Sequence, residues 1–491
     1  MAAAGSVAYI DCMPISRRDF LTSASAATLL PASATAQSGA KDASQKDASA
    51  ADGFRVVEAR AGKLRLVDTA ETDILGFDGQ TPGPVLRIKK GEELRLRLLN
   101  RLDGPTSIHF RGMRGPNAMD GVAPLTQRAV APGATFDYQF TPPDAGVFFY
   151  HAHADMTFAE QATRGLHGVL IVDEPTPPEH DHEVIAIIGD WKLDERGQLP
   201  SCSTARGREA FYSVAESSAS GRIGPLVTIN GKPAPLTQVF APGARVRLRL
   251  VAAVSARLLA LTFEGVQPFV TAIDGQACDE FEPVARSIPV GPGARFDVMF
   301  DMPDEGSEMK VVLRGGALGV AGEQDRPIII LQSKGTKHAS RPPIKTTALN
   351  PLLTPVIPLQ SAKRLDMVIE RVAAPQGAQC LTPNTMLWRV NGKPLRPGDP
   401  PLFSVKRGTS VTLGFLNRST TSHVMRLHGH VMRQLHLLDD GWEPYWRDSV
   451  IVPAERTVRI AFLADNPGKW RLASGIYEHA LAGLAGWFEV T

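Results

Sequence analysis

The sequence predicts an all-β protein made of three copies of one β-sandwich or barrel unit. The chain is 491 residues long, more than one hydrophobic core usually fills, which suggests about three domains. It contains 44 glycines and 38 prolines, a composition typical of proteins with many strands and turns. A turn and an alternating strand also recur three times along the chain.

The N-terminus carries an export signal. Residues 16–21 form a twin-arginine motif, and a weakly apolar run at 20–30 leads to a small-residue cleavage site at 34–36. The apolar run is too short to stay in a bilayer as an anchor. We therefore expect a twin-arginine signal peptide at residues 1–36, a disordered linker at 37–52, and a periplasmic mature protein.

The recurring turn places Asp-Gly or Asn-Gly shortly before a proline. It occurs at residues 78–82, 230–233 and 391–394. Each turn precedes a strand with alternating apolar residues, at 94–98, 246–250 and 411–415. Such alternation buries one face of a strand and exposes the other to solvent. Repeats of this length are domains, which we expect at 53–175, 183–333 and 363–491, with a linker at 334–362.

Charge and cysteine content exclude several classes of protein. The net charge of +2 gives no reason to expect nucleic acid or an anionic membrane as a partner. Cys12 belongs to the signal peptide, which leaves Cys202, Cys278 and Cys380 at wide spacing. Three cysteines form no disulfide framework and none belongs to a metal motif. One disulfide can form, but its partners cannot be deduced from spacing.

Histidine motifs occur at matching places in the first and third units. The first unit has His109 in His-Phe-Arg-Gly, and later His151-Ala152-His153. The third has His428 in Arg-Leu-His-Gly, and the segment 473–475 matches 151–153 because each begins five residues after a turn glycine. Alternate residues of a strand point the same way, so His151 and His153 are directed to one side.

With these motifs the chain resembles the three-domain multicopper oxidases, such as laccases, over essentially its whole mature length. The segments that carry the resemblance are residues 117–121, 149–153, 165–172 and 427–430. The resemblance implies three cupredoxin-like Greek-key β-sandwich or barrel domains. It also implies a trinuclear copper cluster between the first and third domains, and a mononuclear blue copper inside the third.

The ligand positions that the resemblance implies are only partly filled. Of eight cluster histidines, the chain keeps His109, His151, His153 and His428. The other four positions hold Arg111, Arg426, Ala473 and Gly475. The blue-copper positions, where the family has histidine, cysteine, histidine and often methionine, hold His423, Ser474, His479 and Leu484. Blue copper needs a thiolate and a guanidinium does not ligate. Hence we expect neither the full four-copper set nor four-electron reduction of oxygen.

Two interpretations of the remaining cluster histidines stay open. Four imidazoles around one cavity would hold a single copper or zinc ion. Alternatively, the cavity is vestigial, and Arg111 and Arg426 replace the lost cations and pair with Asp120. For His423 and His479 we expect two buried, hydrogen-bonded histidines rather than a metal site.

Three functions are consistent with these residues. The first is a multicopper-oxidase homologue that has lost oxidase activity and serves as a binding or structural protein. The second is a residual single-metal binder. The alternative is a copper-dependent oxidoreductase, a laccase-like oxidase with a non-standard metal site. The sequence contains no catalytic motif of another class, so we assign no catalytic residue. We expect a monomer without a membrane span, whose partner is an unidentified protein or a small reductant.

Overall fold

The computed structural model describes residues 52–491, apart from 204–208, 317, 319, 321, 347, 348, 397 and 437–440. The expected signal peptide, the linker up to residue 51 and Cys12 lie outside the described residues. Strands account for 47% of the structure and helices for 5%, so the predicted all-β class is confirmed. Among the described residues, no helix is long and apolar enough to cross a membrane.

The first domain is a sandwich of two four-stranded sheets. Its elements are β1 (Arg55–Val67), β2 (Ala70–Phe77), β3 (Leu86–Lys89), β4 (Leu94–Asn100), β5 (Ile108–Arg111), β6 (Thr135–Phe140), β7 (Gly146–Ala152), α1 (Phe158–Thr163) and β8 (His167–Asp173). The sheets have the strand orders β2-β1-β4-β6 and β3-β8-β7-β5. Their core includes Leu96 and Leu98 of β4 together with Phe148 and Tyr150 of β7.

The second domain is a sandwich with larger sheets. Its elements are β9 (His182–Trp191), β10 (Cys202–Ser203), β11 (Glu209–Ala210), α2 (Val214–Ser217), β12 (Leu226–Ile229), β13 (Lys232–Pro233), β14 (Leu236–Phe240), β15 (Arg245–Ala252), β16 (Leu259–Glu264), β17 (Phe269–Ile273), β18 (Gln276–Phe281), β19 (Ser287–Val290), β20 (Arg295–Asp301), β21 (Glu308–Leu313) and β22 (Arg326–Ser333). The sheet orders are β13-β12-β9-β15-β20-β17-β18 and β14-β22-β21-β16-β19, beside the pair β10-β11.

The third domain repeats the pattern with two five-stranded sheets. Its elements are β23 (Lys363–Arg371), β24 (Trp388–Val390), β25 (Ser404–Val405), β26 (Thr409–Asn417), β27 (His423–Leu427), β28 (Arg433–Gln434), β29 (Ser449–Val452), β30 (Thr457–Ala464), β31 (Gly468–Ser474), α3 (Tyr477–Leu481) and β32 (Ala485–Val490). The sheet orders are β24-β23-β26-β30-β28 and β25-β32-β31-β27-β29.

The threefold repeat extends to individual hydrogen bonds. In each domain the first strand runs parallel to the alternating strand, in the pairs β1–β4, β9–β15 and β23–β26. In each recurring turn the residue before the glycine has a positive φ, at Asp78, Asn230 and Asn391. The Oδ1 atom of that residue accepts the backbone N–H of Glu58, Ile187 and Val368, respectively. The Asp or Asn therefore ties the turn back to the first strand of its own domain.

Strand β15 differs from the predicted pattern of one buried and one solvent-facing side. All eight of its residues are buried, including Arg245, Arg247 and Arg249. The arginine side chains are covered by carboxylates: Arg247 pairs with Glu174 and Asp297. Alternation in the sequence therefore marked the two faces correctly, but the polar face packs against acidic side chains instead of water.

Contacts across the domain borders hold the three sandwiches together. Cys202 of the second domain forms a disulfide with Cys380 of the third, while Cys278 is free and buried. Arg295 contacts all three domains. Its Nε donates to the Val147 carbonyl in β7, its Nη2 donates to the Asp274 carbonyl, and its Nη1 lies 2.8 Å from Oδ2 of Asp448. These contacts fix β7 relative to the third domain.

Candidate metal centre

The four predicted cluster histidines meet between the first and third domains. His109 on β5 lies opposite His151 on β7, and His153 follows β7 directly. His428 follows β27 of the third domain, and its ring stacks on that of His109 with centroids 4.1 Å apart. The ring centroid of His109 lies 5.5 Å from that of His151 and 5.3 Å from that of His153. No side chain of this set is more than 3% exposed.

Asp120 orients two of these imidazoles. Nδ1 of His109 donates to the Asp120 carbonyl at 2.7 Å and lies 3.1 Å from Oδ1. Nδ1 of His428 donates to Oδ2 of Asp120 at 3.2 Å. His109, Asp120 and His428 each offer one possible metal-ligand atom, and these three atoms lie within 4.8 Å of one another. Because these atoms already form hydrogen bonds, we interpret Asp120 as an orienting group that directs the Nε2 lone pairs of both histidines away from itself.

Three buried imidazole nitrogens in the cluster lack a hydrogen-bond partner among the described residues. They are Nε2 of His151, Nδ1 of His153 and Nε2 of His428. Nδ1 of His151 donates to the Ala152 carbonyl at 2.8 Å, so Nε2 carries a lone pair. Burial, as the largest cause, lowers the pKa of all three well below the ordinary range. Neutral imidazole is the form that ligates metals.

Arg426 and Arg111 border the same cluster but make different contacts. Nη2 of Arg426 donates to Nε2 of His109 at 2.8 Å. Nη1 of Arg111 donates to the Pro292 carbonyl at 2.5 Å, and its guanidinium lies over the Tyr477 ring. Within the described residues neither arginine pairs with Asp120, whose oxygens accept hydrogen bonds from His109 and His428. That part of the vestigial-cavity interpretation is wrong. Burial lowers the pKa of both arginines, and that of Arg426 falls well below its ordinary value. Both keep their charge, because a delocalised guanidinium stays protonated in proteins.

Two aromatic residues complete the cavity and were not predicted from the sequence. Phe158 of α1 stacks on His153 with ring centroids 4.7 Å apart and planes at 6°. The ring of Tyr477 in α3 lies 5.7 Å from that of His151. The one signal for Tyr477 in the sequence was its position, two residues after the segment 473–475 that matches the histidine pair. The two short helices occupy matching places in their domains, α1 between β7 and β8 and α3 between β31 and β32.

At the expected blue-copper position the two histidines bind each other. Nδ1 of His423 and Nδ1 of His479 are 3.0 Å apart. Nε2 of His479 donates to the Ala219 carbonyl of the second domain at 2.7 Å. Burial lowers the pKa of His479 to about 4, so it is neutral and its Nδ1 accepts the proton of His423. The remaining nitrogen, Nε2 of His423, accepts the Ser419 hydroxyl at 3.1 Å.

The other two residues at this position offer no metal ligand. The hydroxyl oxygen of Ser474 accepts the backbone N–H of Ile476 at 3.1 Å. Leu484 is fully buried and apolar. All four imidazole nitrogens of His423 and His479 have a hydrogen-bond partner, as we expected for two structural histidines. The blue-copper position is thus satisfied by protein groups, unlike the cluster.

Comparisons with known proteins agree with the resemblance. Two family models described as multicopper oxidase match residues 58–177 and 353–491. Multicopper oxidase MmcO of Mycobacterium tuberculosis is 29% identical, over 84% of this chain and 82% of its own. Laccase-1 of Fomitopsis schrenkii is 27% identical, over 85% and 84%. The crystal structure of a multi-copper oxidase from Pseudomonas thermotolerans is 30% identical, with a TM-score of 0.76, over 89% of this chain and 98% of that one.

Proposed function

Because the chain belongs to the multicopper oxidase family, we propose that it is a member without the blue-copper site that acts as a binding protein with one metal ion. The ion is copper, the cofactor that the family implies, or zinc. It is held by His151, His153 and His428. The twin-arginine motif at residues 16–21 supports a periplasmic location.

The observation that carries this proposal is the contrast between the two histidine groups. In the cluster, three buried nitrogens have no hydrogen-bond partner among the described residues. An unpaired buried polar atom costs about 1–3 kcal/mol, and a metal ion that accepts the lone pairs removes this cost. His423 and His479, in contrast, pair with each other and with Ser419 and Ala219. An ion there would have to break those bonds and would gain no thiolate.

The residues present do not fit the four-copper set of the family. Arg111 and Arg426 bring positive charge to cluster positions, and Ala473 and Gly475 offer no ligand atom. Ser474 takes the place of the thiolate that blue copper requires. Position 474 thus lacks the thiolate, and the flanking positions 473 and 475 lack cluster ligands, which argues against turnover as a laccase-like oxidase.

Hydrogen bonds in the cavity leave imidazole lone pairs available to one ion. Asp120 holds the protons of His109 and His428 on Nδ1, and the Ala152 carbonyl does the same for His151. Fixing the tautomer through the second nitrogen is the usual way to orient a metal-ligating histidine. Phe158 covers one face of His153, and the burial of the cluster excludes bulk water. Copper, when bound, supplies one-electron chemistry; zinc supplies a Lewis acid.

A metal-free binding or structural role is the second candidate. The hydrogen bond from Arg426 to His109 favours it, because a guanidinium already occupies one histidine of the cluster. The two candidates differ in a single measurable quantity, the number of metal ions per chain.

Metal analysis of the full mature protein, purified from copper-supplemented cells, tests the proposal. We expect about one ion per chain, lost in His153→Ala and in His428→Ala. His423→Ala is the matched control, since this histidine is equally buried but fully hydrogen-bonded, and it should keep the ion. A wild-type protein that stays metal-free after loading would refute the single-metal function. Oxygen consumption with repeated turnover of a phenol would refute the loss of oxidase activity.

A further inference from the structure

Arg426 donates a hydrogen bond to Nε2 of His109 and so blocks the lone pair with which this histidine would bind an ion. Nδ1 of His109 donates to Asp120, so the proton is on Nδ1 and Nε2 must be the acceptor. Nη2 of Arg426 donates to that Nε2 atom at 2.8 Å. A metal ion uses the same lone pair as this hydrogen bond. His109 can therefore bind Arg426 or an ion, but not both.

The position of Arg426 makes the contact hard to release. Its backbone lies on β27 between two neighbouring strands, opposite Ser449 on β29 and Ala473 on β31. Arg426 is only 3% exposed, so releasing the contact would require its side chain to move within a packed interior. The guanidinium keeps its charge, because arginine stays protonated in proteins. An ion at His109 would thus meet a fixed positive charge as well as an occupied nitrogen.

The other histidines of the cluster have a nitrogen that no arginine blocks. Nε2 of His151 and Nε2 of His428 are unpartnered among the described residues, and so is Nδ1 of His153. Arg111, the second buried arginine, directs Nη1 to the Pro292 carbonyl and not to an imidazole. The two arginines therefore differ in kind: both add charge, but only Arg426 closes a ligand position.

We infer that Arg426 sets the number of metal ions that the cavity accepts, since its guanidinium stands where an ion would bind His109 and restricts the cavity to the remaining histidines. This inference rests on the proposed single-metal function for the ion count of the wild type. It assigns Arg426 the role of a specificity-determining residue, which contacts a ligand position without binding metal itself.

Substitution of Arg426 by histidine tests the inference through metal stoichiometry. Arg426→His removes the blocking guanidinium and places a second imidazole near His109, so we expect one more copper or zinc ion per chain than in the wild type. The double variant Arg426→His/His109→Phe should return to the wild-type number. Arg111→Gln removes a buried positive charge of the same kind without opening any histidine, and should also keep the wild-type number.

The measurement is elemental analysis after dialysis against Cu²⁺ or Zn²⁺, with the Cu²⁺ electron paramagnetic resonance spectrum as a second readout. An unchanged ion count in Arg426→His, with the wild-type circular dichroism spectrum, would overturn the inference. So would an equal gain in Arg111→Gln, because charge alone would then set the count. If Arg426→His does not fold, Arg426→Gln takes its place as the test. We then expect a second ion at raised metal concentration, and an unchanged ion count would overturn the inference.

The two proposals fail in different ways. A wild-type protein without metal refutes the single-metal function and leaves the comparison between Arg426→His and wild type intact. A gain of one ion in Arg426→His then still supports the inference that Arg426 blocks Nε2 of His109. A wild type with one ion and a variant with one ion refutes only the role of Arg426.

Discussion

Glu478 is a buried carboxyl whose protonation should control the contact between the second and third domains. It lies in α3 with no exposed surface, between Tyr477 of the cavity and His479. Its Oε1 accepts the backbone N–H of Arg222 at 2.5 Å, and its Oε2 has no hydrogen-bond partner among the described residues. Burial raises the pKa of Glu478 from 4.5 to about 7.

The sign of the effect on stability follows from this raised pKa. Below pH 4.5 the carboxyl is protonated in both folded and unfolded chains and contributes no pH dependence. Between about pH 4.5 and 7 the unfolded chain ionises while the folded chain keeps its proton, so stability falls as the pH rises. At about 1.4 kcal/mol per pH unit, the loss is complete above pH 7 and amounts to about 3 kcal/mol.

Glu478→Gln removes this titration and keeps an acceptor for Arg222. We expect the difference in unfolding free energy between the variant and the wild type to grow by about 3 kcal/mol from pH 4.5 to pH 8.5, in favour of the variant. Urea unfolding followed by tryptophan fluorescence at both pH values measures it, and titrations common to both proteins cancel. Glu71→Gln, at an exposed position, is the control and should show no such trend. The reasoning would be refuted if the difference in unfolding free energy between Glu478→Gln and the wild type did not change with pH.

Two further perturbations test the third domain and its link to the second. Ser474→Cys places a thiol at the position that the family resemblance assigns to the blue-copper cysteine, beside His423 and His479, whose Nδ1 atoms already face each other at 3.0 Å. Copper loading should then produce a copper–thiolate absorption band that the wild type lacks, and a colourless variant would contradict this placement. Replacing Cys202 and Cys380 by serine removes the disulfide, whose cysteines are 178 residues apart in the sequence. By chain entropy it should cost up to about 5 kcal/mol of stability in thermal unfolding, whereas an unchanged midpoint would contradict the estimate.

The fold was largely predictable because its signals are local and repeated. Alternation at 94–98 predicted β4, and the Asp-Gly and Asn-Gly dipeptides predicted three turns, which the structure contains with a positive φ before each glycine. The meeting of His109, His151, His153 and His428 was implied by the family resemblance, which places a cluster between the first and third domains. The burial of Arg247 and Arg249 on β15 did not follow, because it depends on carboxylates such as Glu174 that are distant in sequence.

Partners of the site residues were the part that the sequence could not supply. The Ala219 carbonyl that holds His479 is a backbone group of another domain, and no residue type marks it. One of the two open interpretations paired Asp120 with the arginines, but Asp120 accepts hydrogen bonds from His109 and His428 instead. Arg426 donates to His109 and not to Asp120 because of where the folded chain places these side chains, and spacing in a sequence does not encode that placement.

The unpaired nitrogens of the cluster also predict how a bound ion would affect stability. Nε2 of His151, Nδ1 of His153 and Nε2 of His428 are desolvated in the folded chain without compensation from the described residues. In the unfolded chain water satisfies all of them, so the apo cavity weakens folding by about 1–3 kcal/mol per atom. Relief of this cost is part of the binding free energy of an ion that binds only the folded chain, and such an ion stabilises the fold by about 2.7 kcal/mol in total at 100 times its dissociation constant. The histidine pair His423 and His479 has no such loss to recover. A melting temperature that rises with metal in the wild type, but not in His428→Ala, therefore distinguishes a working ion site from a vestigial one.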